Sequence, residues 1–284
     1  MAKNTSHSGL SPRKVTKETL IYLFLGIWAL INLFPLYWMF TFSLKSNKEI
    51  HGDNIIGLPK NWLWSNYETA IKNGHIFETF KNSAVIAIIT IVIVMFVSLM
   101  ATFALTRFVW KGRKTMNKFF MLGLTIPVHV AIVPLYISFS KLNMLDTIWA
   151  LIIPYAAFSL AMAIMVCTGF MQSIPIELDE AACIDGCGTW RIFFTIICPL
   201  MKPAVATVSI YTFLQCWNEL MFATIFMNKI KTLPVGVQAL HGKYLVEWGP
   251  IGAAMVLATF PMLIFYIILS RKIQDSFIAG AIKG

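Results

Sequence analysis

The stretch AVIAIITIVIVMFVSLMATFAL, residues 84–105, carries no charge over 22 positions. As a helix it would reach about 33 Å, enough to cross a hydrocarbon core of roughly 30 Å. Five more runs have the same character: residues 20–44, 119–139, 148–171, 204–227 and 250–270. Across all six, Glu219 is the one formally charged residue. A soluble core has no use for six such runs, whereas bilayer-spanning helices satisfy every backbone polar group within the segment. Composition agrees, since only 13% of the 284 residues are charged and mean hydropathy is +0.72. Soluble domains carry about twice that charge. The expected fold class is all-α: a polytopic membrane protein with six transmembrane helices.

The distribution of charge then orients the chain. An even number of spans puts both termini on one side. Lys3, Arg13, Lys14 and Lys17 precede the first span, and Arg107, Lys111, Arg113, Lys114 and Lys118 crowd the loop after the second. Arg271, Lys272 and Lys283 follow the sixth. Basic residues in short loops mark the cytoplasmic face, so both termini are expected there. Residues 45–81 hold five lysines, but these are spread over 37 positions and mixed with four acids. That segment, with Pro59, Trp62, Trp64 and Tyr67, reads as a structured cap at the outer interface. The net charge of +10 therefore reports topology; a nucleic-acid binder would gather its cations on one soluble face. The first run, at 25 residues, exceeds a signal-peptide core and is expected to remain as a span. The expected domains are a cytoplasmic tail at 1–19, a transmembrane domain at 20–271 and a second tail at 272–284.

The five cysteines, Cys167, Cys183, Cys187, Cys198 and Cys216, fall in spans or on the expected cytoplasmic side, where disulfides are rare. Cys183 and Cys187 lack the second pair or histidine that a metal site needs, so no metal is expected. Two spans contain polar groups. In "TIPVHVAIVPLY", Pro127 and Pro134 break backbone bonds, and His129 either serves function or bonds a freed carbonyl at the kink. In "LQCWNELMFA", spacings of three and four place Gln215, Asn218 and Glu219 on one helix face, beside Trp217. They either glue helices together or, with Trp217 beside them, line a water-filled path.

The largest loop on the cytoplasmic side, residues 172–203, is acidic: Glu177, Asp179, Glu180 and Asp185 fall within nine positions. Ser173 and Pro175 suit a helix start, and acids in the first turn favour it. Gly186 suits a left-handed stop, Thr189 a second cap, and Pro199 an end after a helix reaching about Ile197. Ala181 and Ala182 form a small-residue patch that would let another backbone approach.

These residues resemble a known family. "EAACIDGCGTWRIFFTIICPLMKP" is similar to the signature loop of permease subunits in binding-protein-dependent ABC importers, a Glu-Ala-Ala, then Gly, then Ile-x-Leu-Pro. The pattern falls on Glu180, Ala181, Ala182, Gly186, Ile196 and Pro199, with Cys198 in the leucine position, and Asp185 lies inside it. "WNE" at 217–219 and the ending "FIAGAIKG" resemble the sugar-importing branch, in particular the smaller permease subunit of maltose-type systems. The resemblance implies a type I importer fold with its core at about 80–271. It implies a loop that docks on a cytoplasmic ATPase, and contacts of Ala279, Gly280 and Gly284 between ATPase subunits. It also implies a prokaryotic plasma-membrane location and a heterodimer with a second permease, served by two ATPase subunits and an extracellular solute-binding protein. ATP and Mg would sit on those ATPases, for this chain has no G-x-x-x-x-G-K-[ST] loop and no catalytic residues are expected in it. A non-sugar solute, such as a glycerol phosphate or polyamine, is the alternative within the family. A secondary transporter would need buried ion-coupling groups and repeated halves. A membrane enzyme would need clustered catalytic side chains.

Overall fold

Four of the six apolar runs fold as unbroken helices long and apolar enough to cross a membrane. The computed structural model describes residues 12–52, 54–242 and 246–281. In chain order the helices are α1 (Pro12–Ser43), α2 (Asn47–Ile50), α3 (Ser65–Asn73), α4 (Ile76–Arg107), α5 (Arg113–Leu122), α6 (Ile132–Lys141) and α7 (Trp149–Gln172). They continue with α8 (Glu177–Ile184), α9 (Thr189–Ile192), α10 (Cys198–Leu200), α11 (Lys202–Trp217), α12 (Met221–Phe226), α13 (Leu233–Ala239) and α14 (Trp248–Ala281). The unbroken spans are α1, α4, α7 and α14. Among the described residues the one extended pairing is an isolated bridge between His241 and Val246.

The other two runs are broken. The third, expected as one helix, is divided into α5, an open stretch ending at Pro127, a tight 3-10 turn at Val128–Ala131, and α6. Pro127 has extended backbone with ψ of 122°, so it stops the helix and does not merely bend it. The fifth run stops at Trp217 and restarts at Met221 as α12. At the ends, the first helix begins at Pro12, eight residues before the expected start of the span. The last continues past position 270 to Ala281, through the segment expected as a separate tail. Residues 1–11 and 282–284 lie outside the described residues.

α4 and α7 form the centre, with α11 against both; α14 packs on α11, and α1 on α14. Small and hydroxyl side chains line the central contacts: Ala87, Thr90 and Ser98 on α4, and Ala156, Ser159 and Ala163 on α7 are buried. Such residues let helix backbones approach where lipid supplies no hydrophobic drive. The core divides along its length. One cluster holds Ile86, Tyr155, Phe213, Trp217, Phe222 and Phe226. The other holds Phe103, Met171, Ala182, Phe193, Ile197 and Met201, and lies toward the acidic loop.

At the end opposite that loop, side chains knit a cap. Buried Lys45 donates to the Asn54 and Ile55 carbonyls at 2.7 and 3.1 Å. Asn66 donates to the carbonyls of Ser43 and Lys45, and Asn47 bonds both the Val246 carbonyl and the Trp248 amide. α14 enters this cap through Gly249, where an added Cβ would lie 2.4 Å from the Asn66 amide nitrogen and 2.6 Å from the Lys45 carbonyl oxygen. Overpacking a site this tight costs about 1–3 kcal/mol. Gly249→Val is therefore expected to lower the thermal unfolding midpoint of the purified protein. An unchanged midpoint would mean that α14 can withdraw from the cap freely.

Candidate functional site

The acidic loop folds as two short legs around a glycine. α8 starts at Glu177, later than Ser173 and Pro175 suggest, because Ser173 instead closes α7. Glu177, Asp179 and Glu180 occupy the first turn of α8, at the positive end of its dipole. Gly186 follows with φ of +77°. The Cys187 amide returns to the Ala182 carbonyl at 2.9 Å and the Gly186 amide to Cys183 at 3.0 Å. This pair of bonds is the Schellman ending, which needs a residue that adopts the left-handed region cheaply.

The second leg departs from the sequence reading. Thr189 does not cap it, since Gly188 holds that position without a side-chain bond. Pro199 does not end it either. The helix runs on to Leu200 through a wide five-residue turn at Phe193–Ile197, and that widening relieves the clash a proline ring makes with the carbonyl four residues back. The chain then bends by 72° into α11, with Pro203 in the first turn beyond the bend.

α8 has two unlike faces. Ala182 points into the loop-end core while Ala181 is exposed, so the two alanines do not form one patch. Leu178 (43% exposed), Ala181 and Ile184 (86% exposed) follow each other at spacings of three, which aligns them along the outer face. Glu180 and Asp185 are exposed, and neither forms an ion pair among the described residues. Ile196 is half-buried in the wide turn, and Pro199 is exposed.

Sequence reasoning missed the contact that fixes this loop. Arg107, at the last residue of α4, places Nε 2.8 Å from the Asp179 carboxylate and donates from Nη2 to the Ile174 carbonyl at 2.9 Å. The two side chains retain only 9% and 14% exposure. Neither Asp179 oxygen accepts a hydrogen bond among the described residues. Burial therefore pushes the Asp179 carboxyl up from its ordinary value, and the Arg107 charge opposes this only partly. The available signal was the pairing of an acid in the first helical turn with a lone arginine ending a span; Arg107 was read as a topology charge only.

The second candidate group is scattered by the break in the fifth span. Glu219 lies beyond the end of α11, so it does not share a helix face with Gln215. Its carboxylate accepts the Phe222 and Ala223 amides at 2.8 and 3.2 Å and the Tyr155 hydroxyl of α7. It caps α12 and ties it to α7. Trp217 is 3% exposed, stacked on Phe213 at 5.0 Å, with its indole donating to the Ala258 carbonyl. It offers no open surface to a ring ligand. Gln215 and Asn218 are exposed, bonded only to Tyr211 and to the Leu214 carbonyl of their own helix. His129 is exposed beside Phe222, ring centroids 6.3 Å apart, and makes no side-chain hydrogen bond among the described residues. Ala279 and Gly280 belong to the last turn of α14, and Gly284 lies outside the described residues. Among the described residues no three His, Cys, Asp or Glu side chains gather as metal ligands.

Removing one partner of a buried ion pair leaves an uncompensated charge, at a cost of about 3–5 kcal/mol when fully buried and less here, where part of each group meets solvent. Arg107→Met is expected to loosen α8, read as faster amide exchange over residues 177–186. The reversed pair Arg107→Asp with Asp179→Arg is expected to recover part of that protection. Unchanged exchange in the single variant would remove Arg107 from the role of anchor.

Comparison with known proteins identifies the family to which this fold belongs. Residues 95–279 match the family described as binding-protein-dependent transport system inner membrane component. A putative ABC transporter permease of Caldicellulosiruptor sp. strain Rt8B.4 is 37% identical over 93% of this chain and 96% of its own. A trehalose/maltose transport system permease of Thermococcus litoralis is 32% identical over 95% and 99%. A diacetylchitobiose uptake permease of Streptomyces coelicolor is 31% identical over 90% and 86%. The fold superposes, with TM-score 0.78 and 20% identity over 93% of this chain and 98% of the other, on a chain from the crystal structure of a bacterial transporter that imports the acidic polysaccharide alginate. With about two thirds of its length matched, this chain belongs to the family of inner membrane permeases of binding-protein-dependent transport systems.

Proposed function

We propose that this chain is one of two permease subunits that form the path of an ATP-driven saccharide importer, with α8 as its coupling helix. The observation that carries the reading is the outer face of α8. Leu178, Ala181 and Ile184 stand uncovered on a short helix that Arg107 and the Gly186 turn hold in place. An isoleucine 86% exposed at such a position is explained by a protein groove that receives it. The acidic side chains around it suit basic residues in that groove.

In this proposal the acidic loop and both termini face the cytoplasm of a prokaryotic cell, and the cap faces outward. Two ATPase subunits hold ATP and Mg and hydrolyse it. One of them receives α8, and a solute-binding protein delivers solute to the cap side. α14, at 34 residues, is about 51 Å long and outreaches the hydrocarbon by roughly 20 Å. That excess is what allows Ala279 and Gly280, and with them Gly284, to approach the ATPases. Gln215 and Asn218, together with His129, face the path at the junction with the second permease, because exposing such amides to lipid is costly. Their donors and acceptors match sugar hydroxyls, and two of the relatives above are named for the uptake of saccharides. Trp217 and Glu219 hold the path wall and do not touch solute.

The solute class is tested by isolating the solute-binding protein of the assembled importer and measuring which compounds it retains. A bound di- or oligosaccharide supports the reading, and retention of a polyamine or an amino acid overturns it. The docking role is tested at the turn. Gly186→Val places a branched residue in the left-handed region, at about 1–2 kcal/mol, and is expected to release the ATPase or abolish transport. Gly186→Asn, which tolerates that conformation, should retain both. Full transport with valine would separate the turn from docking. The path is tested by cysteine at 215 or 218, which should react with a small water-soluble thiol reagent and be protected by solute. Inertness in every nucleotide state would leave both side chains with a structural role.

A further inference from the structure

Next to the coupling loop lies an apolar slot of about 140 Å³ between the end of α4 and the second leg of the loop. Met100, Phe103, Ala104 and Phe108 form one wall, and Trp190 and Phe193 the other. Phe103 and Phe193 make its floor at 7% and 2% exposure, while Phe108 and Trp190 frame its mouth at 40% and 62%. It is smaller than the roughly 300–1,000 Å³ of pockets that enclose a whole ligand, and its lining is almost wholly hydrocarbon and aromatic. Its depth follows from charge. The uncharged part of α4 lies between Lys81 and Arg107, so Met100 to Ala104 occupy the last two turns before the headgroup region.

A cluster of cations is folded onto this slot. Lys111, Arg113, Lys114 and Lys118 follow α4 with no acid among residues 107–118, and none of the four forms an ion pair among the described residues. Two hydrogen bonds bend the basic turn back against the slot wall. The Trp110 indole donates to the Ala104 carbonyl at 3.0 Å, and Arg113 Nη1 donates to the Phe108 carbonyl at 3.3 Å. Both acceptors belong to residues that line the slot. Positive loops are a general mark of topology, but topology alone does not require an aromatic cleft at the same spot. Clusters of four or more cations just beyond a span attract anionic lipid headgroups, and an apolar cleft beside them can take part of the attached chain.

We propose that this corner binds one anionic phospholipid, with part of an acyl chain in the slot and the phosphate on Lys111, Arg113 and Lys114. The occupant is a lipid because the slot opens at headgroup depth and because four unpaired cations call for an anion beside a hydrocarbon chain. The bound lipid would touch α4 and the coupling leg together, at Phe103 and Phe193, and would brace the joint that Arg107 and Asp179 form on the other side.

The test uses the full chain in its assembled importer, reconstituted in bilayer discs of phosphatidylcholine with a trace of photoactivatable phosphatidylglycerol. Crosslinks are expected to concentrate in peptides covering residues 100–108 and 189–193. Unlabelled phosphatidylglycerol should compete them away at concentrations where phosphatidylcholine does not. Each lysine near an anionic headgroup contributes about fivefold, so Lys111→Gln with Lys114→Gln should reduce labelling by on the order of tenfold or more. Both lysines are exposed, so the fold should survive this change. Ala104→Leu fills the slot without altering charge and should lower labelling while leaving cation-dependent attachment to vesicles intact. Equal competition by phosphatidylcholine, or unchanged labelling in both variants, would overturn the proposal. So would a cysteine at 104 that crosslinks to a partner protein chain in place of lipid.

Discussion

Backbone polar groups cannot be left unpaired in hydrocarbon, and the two broken spans are organised around that constraint. In the third, the amides of Gly123, Leu124 and Thr125 turn back to the carbonyls of Phe120, Met121 and Leu122, and the Thr125 hydroxyl reinforces the last of these. In the fifth, the Asn218 side chain and amide both bond the Leu214 carbonyl. Beyond the gap, the Glu219 carboxylate takes the Phe222 and Ala223 amides, which begin a new helix and have no carbonyl behind them. The one acid in six apolar runs is thereby explained as a replacement for missing backbone acceptors. A buried carboxyl group at this depth is tolerable only with such partners, and the Tyr155 hydroxyl supplies another.

That accounting shows why some of the architecture was legible in the sequence and some was not. Apolar length alone marks all six runs, four of which became the unbroken α1, α4, α7 and α14, because nothing but a bilayer requires such runs. The break at Pro127 was not legible, because a proline inside a span is compatible with a kink or with a stop, and only its neighbours decide which. Glu219 was misplaced for a related reason. Spacing rules assume that the helix continues, and the carboxylate ended up serving the next helix instead of its own. Trp217 looked like a ligand surface in isolation, but Phe213, Phe80 and the Ala258 carbonyl claim it. The loop was better defined, since Gly186 needs no partner to declare a left-handed turn. The Arg107–Asp179 pair, 72 positions apart, left only a charge at the end of a span and another in a first helical turn, with nothing local to join them.

α4 links these features. Its first turns hold the cap side: Ser83 accepts the Leu233 amide at 2.8 Å and Asn82 donates to the Lys231 carbonyl. Its middle packs along α7 and α11, and its last residue grips the acidic loop. A displacement of α8 therefore meets a continuous helix of 32 residues and not a chain of loops. The wide turn at Phe193–Ile197 and the 72° bend at Met201 place the compliant backbone on the other leg, which leads into α11 and the broken fifth span.

The two ends of the molecule hold their polar groups differently. At the cap, polar groups find partners within the chain: Lys45, Asn47 and Asn66 on carbonyls and amides, and Asp146 on the amides of Asn228 and Lys229. Those two amides hold the half-buried Asp146 carboxyl below its ordinary value. Large apolar side chains remain open at both ends: Ile55, Ile56, Leu58, Trp62 and Trp64 at the cap, and Ile176, Leu178, Ile184, Trp190 and Phe194 on the loop, are all more than 40% exposed. Fully burying one such side chain stabilises by about 1.5–3 kcal/mol. Covering two or three of those on the loop would add about 3–9 kcal/mol by the same measure. Stability at this end is thus deferred to whatever covers it. On the loop the open side chains are gathered on α8 and its neighbouring leg, a surface that Arg107 and the Gly186 turn hold in place.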